Sequence, residues 1–292
     1  MLLCSLTRKR VISWSVETVI IDFHTHTTAS DGALAPIELL RRAQEAGISH
    51  FAITDHDTIR GWQAVADAVP DGVSLVSGVE LSCVWSKVTI HVVGLGFDPD
   101  AEPIVSMLAR LNKARQARAQ KIAERLASRN ITDALAGALA VAGDSQIGRP
   151  HFARWMVSAG YVRDMNSAFD KYLGQGKIGD VQAFWPTLEE AVHAITRSGG
   201  RAILAHPLKY KLTGMKLRAL CQGFVDVGGT AIEVVNGKQG VVETTRLHQI
   251  AKDFSFTVSM GSDFHRDFEH APRLGVDTAR AGALPGVWEA LT

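Results

Sequence analysis

Two histidines separated by one residue near the start of the sequence could together bind a metal ion. His24 and His26 follow a short apolar run over residues 18–23, which is typical of a buried strand. Because side chains alternate along a strand, both imidazoles are expected to project from the same face at its carboxyl end. Two imidazoles placed in this way can chelate one ion.

Six further apolar runs predict strands, and most of them also end in histidine or acidic residues. These runs cover residues 50–54, 73–79, 88–93, 201–205, 230–235 and 256–260. The residues at or near their ends are His56, Glu80, His91, His206, Asp263 and His265, and Asp31 lies in the loop after the first strand. Functional groups gather at the carboxyl ends of parallel strands. Because these imidazoles and carboxylates would repel each other or stay unpaired without cations, the sequence predicts a multinuclear metal site.

The order of these strands predicts an α/β fold. Amphipathic helical patterns at residues 35–46, 188–197 and 242–253 alternate with the strands, which favours a parallel sheet or barrel. Only eight residues separate the third and fourth runs, so the sheet is expected to be locally antiparallel or distorted there. We expect residues 1–18 to be an N-terminal extension outside the fold. Residues 19–97 and 189–292 would form the metal-binding unit, and residues 98–188 an inserted helical subdomain.

Composition excludes several classes of protein. The chain of 292 residues has 46% hydrophobic and 21% charged residues, which is typical of a globular protein. A formal net charge of +1 provides no global positive field to bind duplex nucleic acid. No apolar run approaches the roughly 18 to 20 residues that span a bilayer. Three cysteines far apart in the sequence predict neither a disulfide framework nor a zinc knuckle, so we expect a cytoplasmic protein. No pattern indicates an oligomeric state.

The ordered motifs identify a family. His24-Thr25-His26, Thr54-Asp55-His56-Asp57, Gly78-Val79-Glu80, Ala205-His206-Pro207 and Gly261-Ser262-Asp263-Phe264-His265 resemble the motifs of the PHP (polymerase and histidinol phosphatase) phosphoesterases. The resemblance covers residues 19–270 and implies a distorted seven-stranded β/α barrel with two to three divalent ions. It implies a first ion held by His24, His26, Glu80 and Asp263, with Glu80 bridging to a second ion held by His91 and His206. Asp31, His56 and His265 would hold the third ion. The residues it implies as catalytic are Glu80, Asp263, His206 and His265.

Two stretches of the predicted insertion indicate a subfamily. Residues 147–154 (IGRPHFAR) and 172–177 (YLGQGK) are similar to enzymes that remove the 3′-phosphate from nucleoside 3′,5′-bisphosphates, giving 5′-monophosphates. Some members also trim short single-stranded RNA from its 5′ end. Mixed imidazole and carboxylate ligands suit manganese, iron or zinc, and the resemblance favours manganese. The expected nucleophile is a hydroxide that bridges the ions.

A second phosphate on the substrate needs basic side chains outside the metal site. Arg149 and Lys177 are predicted to bind it. His151 is a further candidate for the substrate pocket, with a structural hydrogen bond as the alternative. Asn236, at the end of the sixth strand, is predicted to contact a base or sugar, or else to belong to a turn.

Two other functions stay open from the sequence. A histidinol-phosphate type of small-molecule phosphatase would use the same metals without a nucleotide pocket. A noncatalytic binding module on the same fold would be expected to lack some ligands. Residues 110–129 form a basic helical pattern, which is interpreted as a solvated helix face, or as a surface that steers an anionic substrate.

Overall fold

A computed structural model of the protein describes residues 19–182, 184–269 and 271–291. The predicted extension at residues 1–18 lies outside the described residues. Among the helices that the structure describes, none is both long and apolar enough to cross a membrane.

The strands form two sheets. The first contains β1 (Ile20–Asp22), β2 (Ile48–Ala52), β3 (Ser74–Val76) and β9 (Val276–Asp277), in the order β3-β2-β1-β9. The second contains β4 (Gly78–Trp85), β5 (Val88–Leu95), β6 (Arg201–Leu204), β7 (Ala231–Asn236) and β8 (Thr257–Gly261), in that order. Strands β1, β2 and β3 are parallel, as are β6, β7 and β8, whereas β5 is antiparallel to both of its neighbours. The α/β class and the antiparallel pair are therefore confirmed.

The expectation of one seven-stranded barrel is not confirmed, because the described strands form sheets of four and five strands. The predicted strand at residues 73–79 divides into β3 and the start of β4, which belong to different sheets. Gly78 permits this crossing, since a Cβ atom there would lie 2.6 Å from the carbonyl oxygen of Ile53. Isolated bridges from Thr25 to Phe264 and from His56 to Glu80 join the two sheets at their carboxyl ends.

The helices cover the sheets and fill the long segment between β5 and β6. They are α1 (Pro36–Glu45), α2 (Arg60–Gln63), α3 (Glu102–Ala127), α4 (Ala134–Ala142), α5 (Arg149–Ser158), α6 (Met165–Ala168), α7 (Leu188–Thr196), α8 (Gly214–Asp226) and α9 (Val241–Asp253). Helix α3 connects two apolar cores. Its first half packs Ile104 and Leu111 into the core of the sheets, while Leu126 joins Phe152 and Met156 in a separate core among α3 to α6.

The interpretation of α3 as a solvated basic face is wrong for two of its arginines. Arg115 and Arg118 are buried, with 6% and 5% of their surface exposed. The Arg115 guanidinium donates to Asp57 Oδ2 at 2.6 Å, to the Ile147 carbonyl at 3.0 Å and to Ser82 Oγ at 3.3 Å. The Arg118 guanidinium donates to the Val181 backbone carbonyl, and its central carbon lies 4.9 Å from the centre of the Trp185 ring. These cations hold the helical segment against the sheets.

Candidate metal centre

All nine predicted ligands come together, although Glu80 lies near the start of β4 and His91 in the middle of β5 rather than at the carboxyl end of a strand. The residues form four overlapping groups, and within each group one donor atom per residue lies within 4.8 Å of the others. These groups are His26, Asp31, His56 and His265; His24, Glu80 and His206; His24, His26 and Asp263; and His56, Glu80 and His91. The segments that follow β1, β2, β6 and β8 carry seven of these side chains, as the sequence predicts, and the antiparallel pair β4 and β5 carries the other two.

Glu80 lies at the centre of the cluster and is fully buried. Its Oε1 is 2.8 Å from both His91 Nδ1 and His206 Nε2. Its Oε2 is 2.9 Å from His56 Nδ1 and 3.3 Å from the Nε2 atoms of His24 and His26. A carboxylate with imidazoles against each of its two oxygens can bridge two cations.

Two aspartates complete the cluster on either side of His26. Asp263 Oδ1 lies 3.3 Å from His26 Nε2 and 3.6 Å from His24 Nε2. Asp31 Oδ1 lies 3.4 Å from His265 Nε2, and Asp31 Oδ2 lies 3.8 Å from His56 Nε2. The loop that carries Asp31 is held by buried Asp55, which accepts hydrogen bonds from Thr27 and Ser30.

The donor set fits divalent metal ions. Several of these atoms lie close together, but among the described residues six buried atoms of the cluster make no hydrogen bond of acceptable geometry, namely His24 Nε2, both ring nitrogens of His26, His56 Nδ1, His206 Nδ1 and Glu80 Oε2. A buried polar atom without a partner costs about 1–3 kcal/mol, so atoms of this kind rarely accumulate in a fold. Ions coordinated by the imidazoles and carboxylates would satisfy the atoms that face the centre of the cluster.

For Glu80, His26 and His91, the electrostatics of the cluster favour the protonation states that metal binding requires. Burial would raise the pKa of Glu80, but the neighbouring His56, His91 and His24 hold it well below its usual range. Burial and then His265 lower the pKa of His26 to about 3, and burial lowers that of His91 to about 4. Ionised carboxylates and neutral imidazoles are the forms that ligate metals.

His24 and His56 behave in the opposite way. Burial would lower the pKa of each ring, but nearby carboxylates dominate. Glu233 and then Glu80 raise the pKa of His24, whereas Glu80 and then Asp31 raise the pKa of His56 to about 9. Because ligation requires an unprotonated nitrogen, a cation that binds either ring would have to displace a proton that these carboxylates favour.

A cleft of about 340 Å³ opens over the cluster. Arg149, at the start of α5, lines it together with Gln175 and Gln182 of the helical segment. Lys209, in the 3-10 turn Pro207–Tyr210 after β6, lines the cleft from the side of the five-stranded sheet, and its ammonium contacts Asp263 Oδ2. The cleft therefore brings two basic side chains to the same opening as the metal ligands.

The other predicted substrate contacts have different surroundings. Lys177 is exposed and is not among the described residues that line this cleft. His151 is buried, and its Nδ1 accepts a hydrogen bond from the Gly148 backbone N–H at the start of α5. Asn236 is also buried, and its Nδ2 donates to Glu233 Oε2 at 3.0 Å. Of the four, the structure brings only Arg149 to the lining of the cleft described above.

Sequence reasoning assigned no role to three residues that shape the site. Lys209 follows the Ala205-His206-Pro207 motif by two positions, and this proximity was its only signal. Glu233 is an acidic residue inside an apolar strand, which indicates a buried partner. Asp57, directly after His56, accepts the hydrogen bond from Arg115 and also that of the Ser82 backbone N–H at 2.6 Å.

Comparison with known proteins identifies the family. The model of the PHP domain matches residues 22–136. The 5′-3′ exoribonuclease Rnm of Escherichia coli is 40% identical over 278 residues, which cover 93% of each chain. The 3′,5′-nucleoside bisphosphate phosphatase of Chromobacterium violaceum is 36% identical, over 87% of this chain and 90% of its own.

A solved structure agrees with these relatives. An amidohydrolase from Chromobacterium violaceum, with bound sulfate and no metal, superimposes with a TM-score of 0.84 and 35% identity, over 93% of this chain and 95% of its own. The family resemblance of the sequence motifs is thereby confirmed. The chain belongs to the PHP-domain family and is a metal-dependent phosphoesterase.

Proposed function

We propose that this protein hydrolyses the 3′-phosphate of nucleoside 3′,5′-bisphosphates and releases 5′-monophosphates. The observation that carries the proposal is that Arg149 lines the same cleft as six of the nine clustered residues. One phosphate would lie at the cluster and the other at the guanidinium. A substrate with a single phosphate would have no group for the Arg149 guanidinium to bind.

Arg149 is suited to hold the second phosphate. Its Nη1 donates to the Leu173 carbonyl at 3.0 Å and lies 3.7 Å from Asp180 Oδ1, and these contacts fix the side chain in the cleft. A guanidinium has five N–H groups in a rigid plane, so it can keep these contacts and still bind phosphate oxygens.

The cluster and Lys209 would act on the scissile phosphate. His24, His26, Asp31, His56, Glu80, His91, His206, Asp263 and His265 would hold two to three divalent ions, with manganese favoured over iron and zinc by the family resemblance. Such ions neutralise phosphate oxygens and lower the pKa of a bound water to about 7. The Lys209 ammonium lies against Asp263 in the same cleft and would add a positive charge beside the phosphate. Arg149 would orient the nucleotide so that its 3′-phosphate reaches the ligands.

Trimming of RNA from the 5′ end is a second activity that the same arrangement supports. Three relatives at 40% identity are named as 5′-3′ exoribonucleases. Removing a 3′-phosphate and releasing a 5′-mononucleotide from RNA both break the bond between phosphorus and O3′ of a nucleotide that carries a 5′-phosphate. Arg149 would hold that 5′-phosphate in both reactions.

The alternatives fit the site less well. A noncatalytic module would be expected to lack ligands, yet the cluster contains all nine. A histidinol-phosphate type of phosphatase would have no second phosphate for Arg149 to bind.

The proposal is tested by measuring kcat/KM for four substrates with manganese present. These are a nucleoside 3′,5′-bisphosphate, the matching 3′-monophosphate, histidinol phosphate and a short 5′-phosphorylated RNA. We expect the bisphosphate to exceed the 3′-monophosphate at least about tenfold, since one charge-assisted contact contributes about 1.5–3 kcal/mol. Equal values for these two, or a preference for histidinol phosphate, would contradict the proposal.

A further inference from the structure

A buried glutamate on β7 contacts two of the predicted metal ligands. Glu233 lies in the apolar sequence Ala231–Asn236 and is 2% exposed. Its Oε1 is 3.0 Å from His24 Nδ1. Its Oε2 accepts hydrogen bonds from the His206 backbone N–H at 2.6 Å and from Asn236 Nδ2 at 3.0 Å. Glu233 is not one of the nine clustered ligands.

The contact with His24 determines which ring nitrogen faces the cluster as an acceptor. A carboxylate can only accept hydrogen bonds, so His24 Nδ1 must carry a proton to bond with Oε1. In the neutral ring, Nε2 is then the unprotonated nitrogen. That atom lies 3.3 Å from Glu80 Oε2 and 3.6 Å from Asp263 Oδ1, on the side where an ion would bind.

The contact with His206 holds the backbone in an unusual conformation. His206 has φ +28° and ψ +56°, a region that residues other than glycine rarely occupy. The hydrogen bond from its N–H to Glu233 stabilises this turn, which directs Nε2 to within 2.8 Å of Glu80 Oε1. One carboxylate therefore fixes the His24 ring, two residues after β1, and the turn after β6.

We propose that Glu233 is a positioning residue of the metal centre, which sets the tautomer of His24 and the backbone of His206 so that both rings can ligate. The proposal rests on the metal centre described under the proposed function. It assigns to the carboxylate a role that an amide of the same shape cannot fill.

The substitution Glu233→Gln keeps the volume of the side chain but removes its negative charge and replaces one acceptor oxygen with an NH₂ donor. Glutamine has a single side-chain oxygen, and the two donors at the Oε2 position, the His206 N–H and Asn236 Nδ2, would both require it. Its NH₂ group would then face His24 Nδ1 and donate to it. This contact favours the tautomer of His24 with a proton on Nε2. A protonated Nε2 has no free lone pair, so the atom that faces the cluster could not bind a metal ion.

The test measures Mn²⁺ affinity from the electron paramagnetic resonance signal of the free ion. The wild type is compared with Glu233→Gln and with Glu243→Gln, which removes the same charge from an exposed position on α9. We expect Glu233→Gln to bind its tightest Mn²⁺ about 10- to 100-fold more weakly, and Glu243→Gln to match the wild type. Circular dichroism melts establish that all three proteins are folded at the assay temperature.

A second measurement separates positioning from loss of structure. In protein loaded with Zn²⁺ and labelled with ¹⁵N-histidine, the proton of His24 should lie on Nδ1 in the wild type and on Nε2 in Glu233→Gln. Unchanged affinity in the folded variant, or an unchanged tautomer, would overturn the proposal while leaving the substrate preference of the wild type intact. A wild type that binds no Mn²⁺ would overturn the metal centre itself and this proposal with it.

Discussion

Replacing Arg115 with methionine should strongly destabilise the fold. Arg115 and Asp57 are almost fully buried, and the Arg115 Nε to Asp57 Oδ2 distance is 2.6 Å. Methionine fills a similar volume but leaves the Asp57 carboxylate uncompensated, and breaking a buried pair in this way costs about 3–5 kcal/mol. The Ile147 carbonyl and Ser82 Oγ also lose a donor. A typical domain is stable by only about 5–15 kcal/mol, so the loss is a large fraction of the total.

Urea unfolding provides the assay, with the free energy of unfolding extrapolated to water. The matched control is Arg110→Met on the same helix, because Arg110 pairs with Glu190 at the surface, where the two side chains are 49% and 41% exposed. Exposed pairs contribute about 0–1 kcal/mol, so this variant should stay within 1 kcal/mol of the wild type. If Arg115→Met were no less stable than Arg110→Met, the stabilising role of the buried ion pair between Arg115 and Asp57 would be refuted.

Three further predictions concern the metal centre, the substrate contact and the stability of the fold. Glu80→Gln should leave the protein folded but remove nearly all metal binding and turnover, because it withdraws the carboxylate that five imidazoles approach. Asp31→Ala should reduce turnover less. Equal losses of bound metal and of phosphate release in the two variants would contradict this ranking. Arg149→Ala should lower kcat/KM for a nucleoside 3′,5′-bisphosphate about ten- to a hundredfold and barely change that for the 3′-monophosphate, and an equal loss for both would exclude the clamp. Burial lowers the pKa of His151 from 6.5 to about 4, so the unfolded chain binds more protons between these values and stability falls as the pH drops through that window. The variant His151→Gln keeps an acceptor at the third helical position, so between pH 7 and pH 4 its free energy of unfolding should fall by up to about 3 kcal/mol less than that of the wild type. Urea unfolding curves with the same pH dependence for both proteins would disprove the effect.

The convergence of most of the predicted ligands could be anticipated from the sequence because it depends on local rules. Alternation puts His24 and His26 on one face, and the ends of parallel strands converge wherever the strands are adjacent. The motifs around His56 and Asp263 follow the same rules. Neither rule requires knowledge of the exact sheet order.

The remaining features depend on contacts between distant residues. The separation of β3 from β4 depends on the close approach of Gly78 to the Ile53 carbonyl, which no strand pattern reveals. Helical periodicity assigns Arg115 to a polar face but does not identify Asp57, 58 residues earlier, as its buried partner. Glu233 could have been noticed as a charge in an apolar strand, although its partners His24 and His206 become evident only in the fold.

The central claim is that ions held by the nine clustered residues carry out phosphate ester hydrolysis. Its most direct test is metal analysis of the purified protein combined with phosphate release from a nucleoside 3′,5′-bisphosphate before chelation, after chelation and after addition of Mn²⁺. We predict two to three equivalents of bound divalent metal, loss of turnover on removal of the metal and recovery with Mn²⁺. Full turnover by protein shown to be free of metal would contradict the claim.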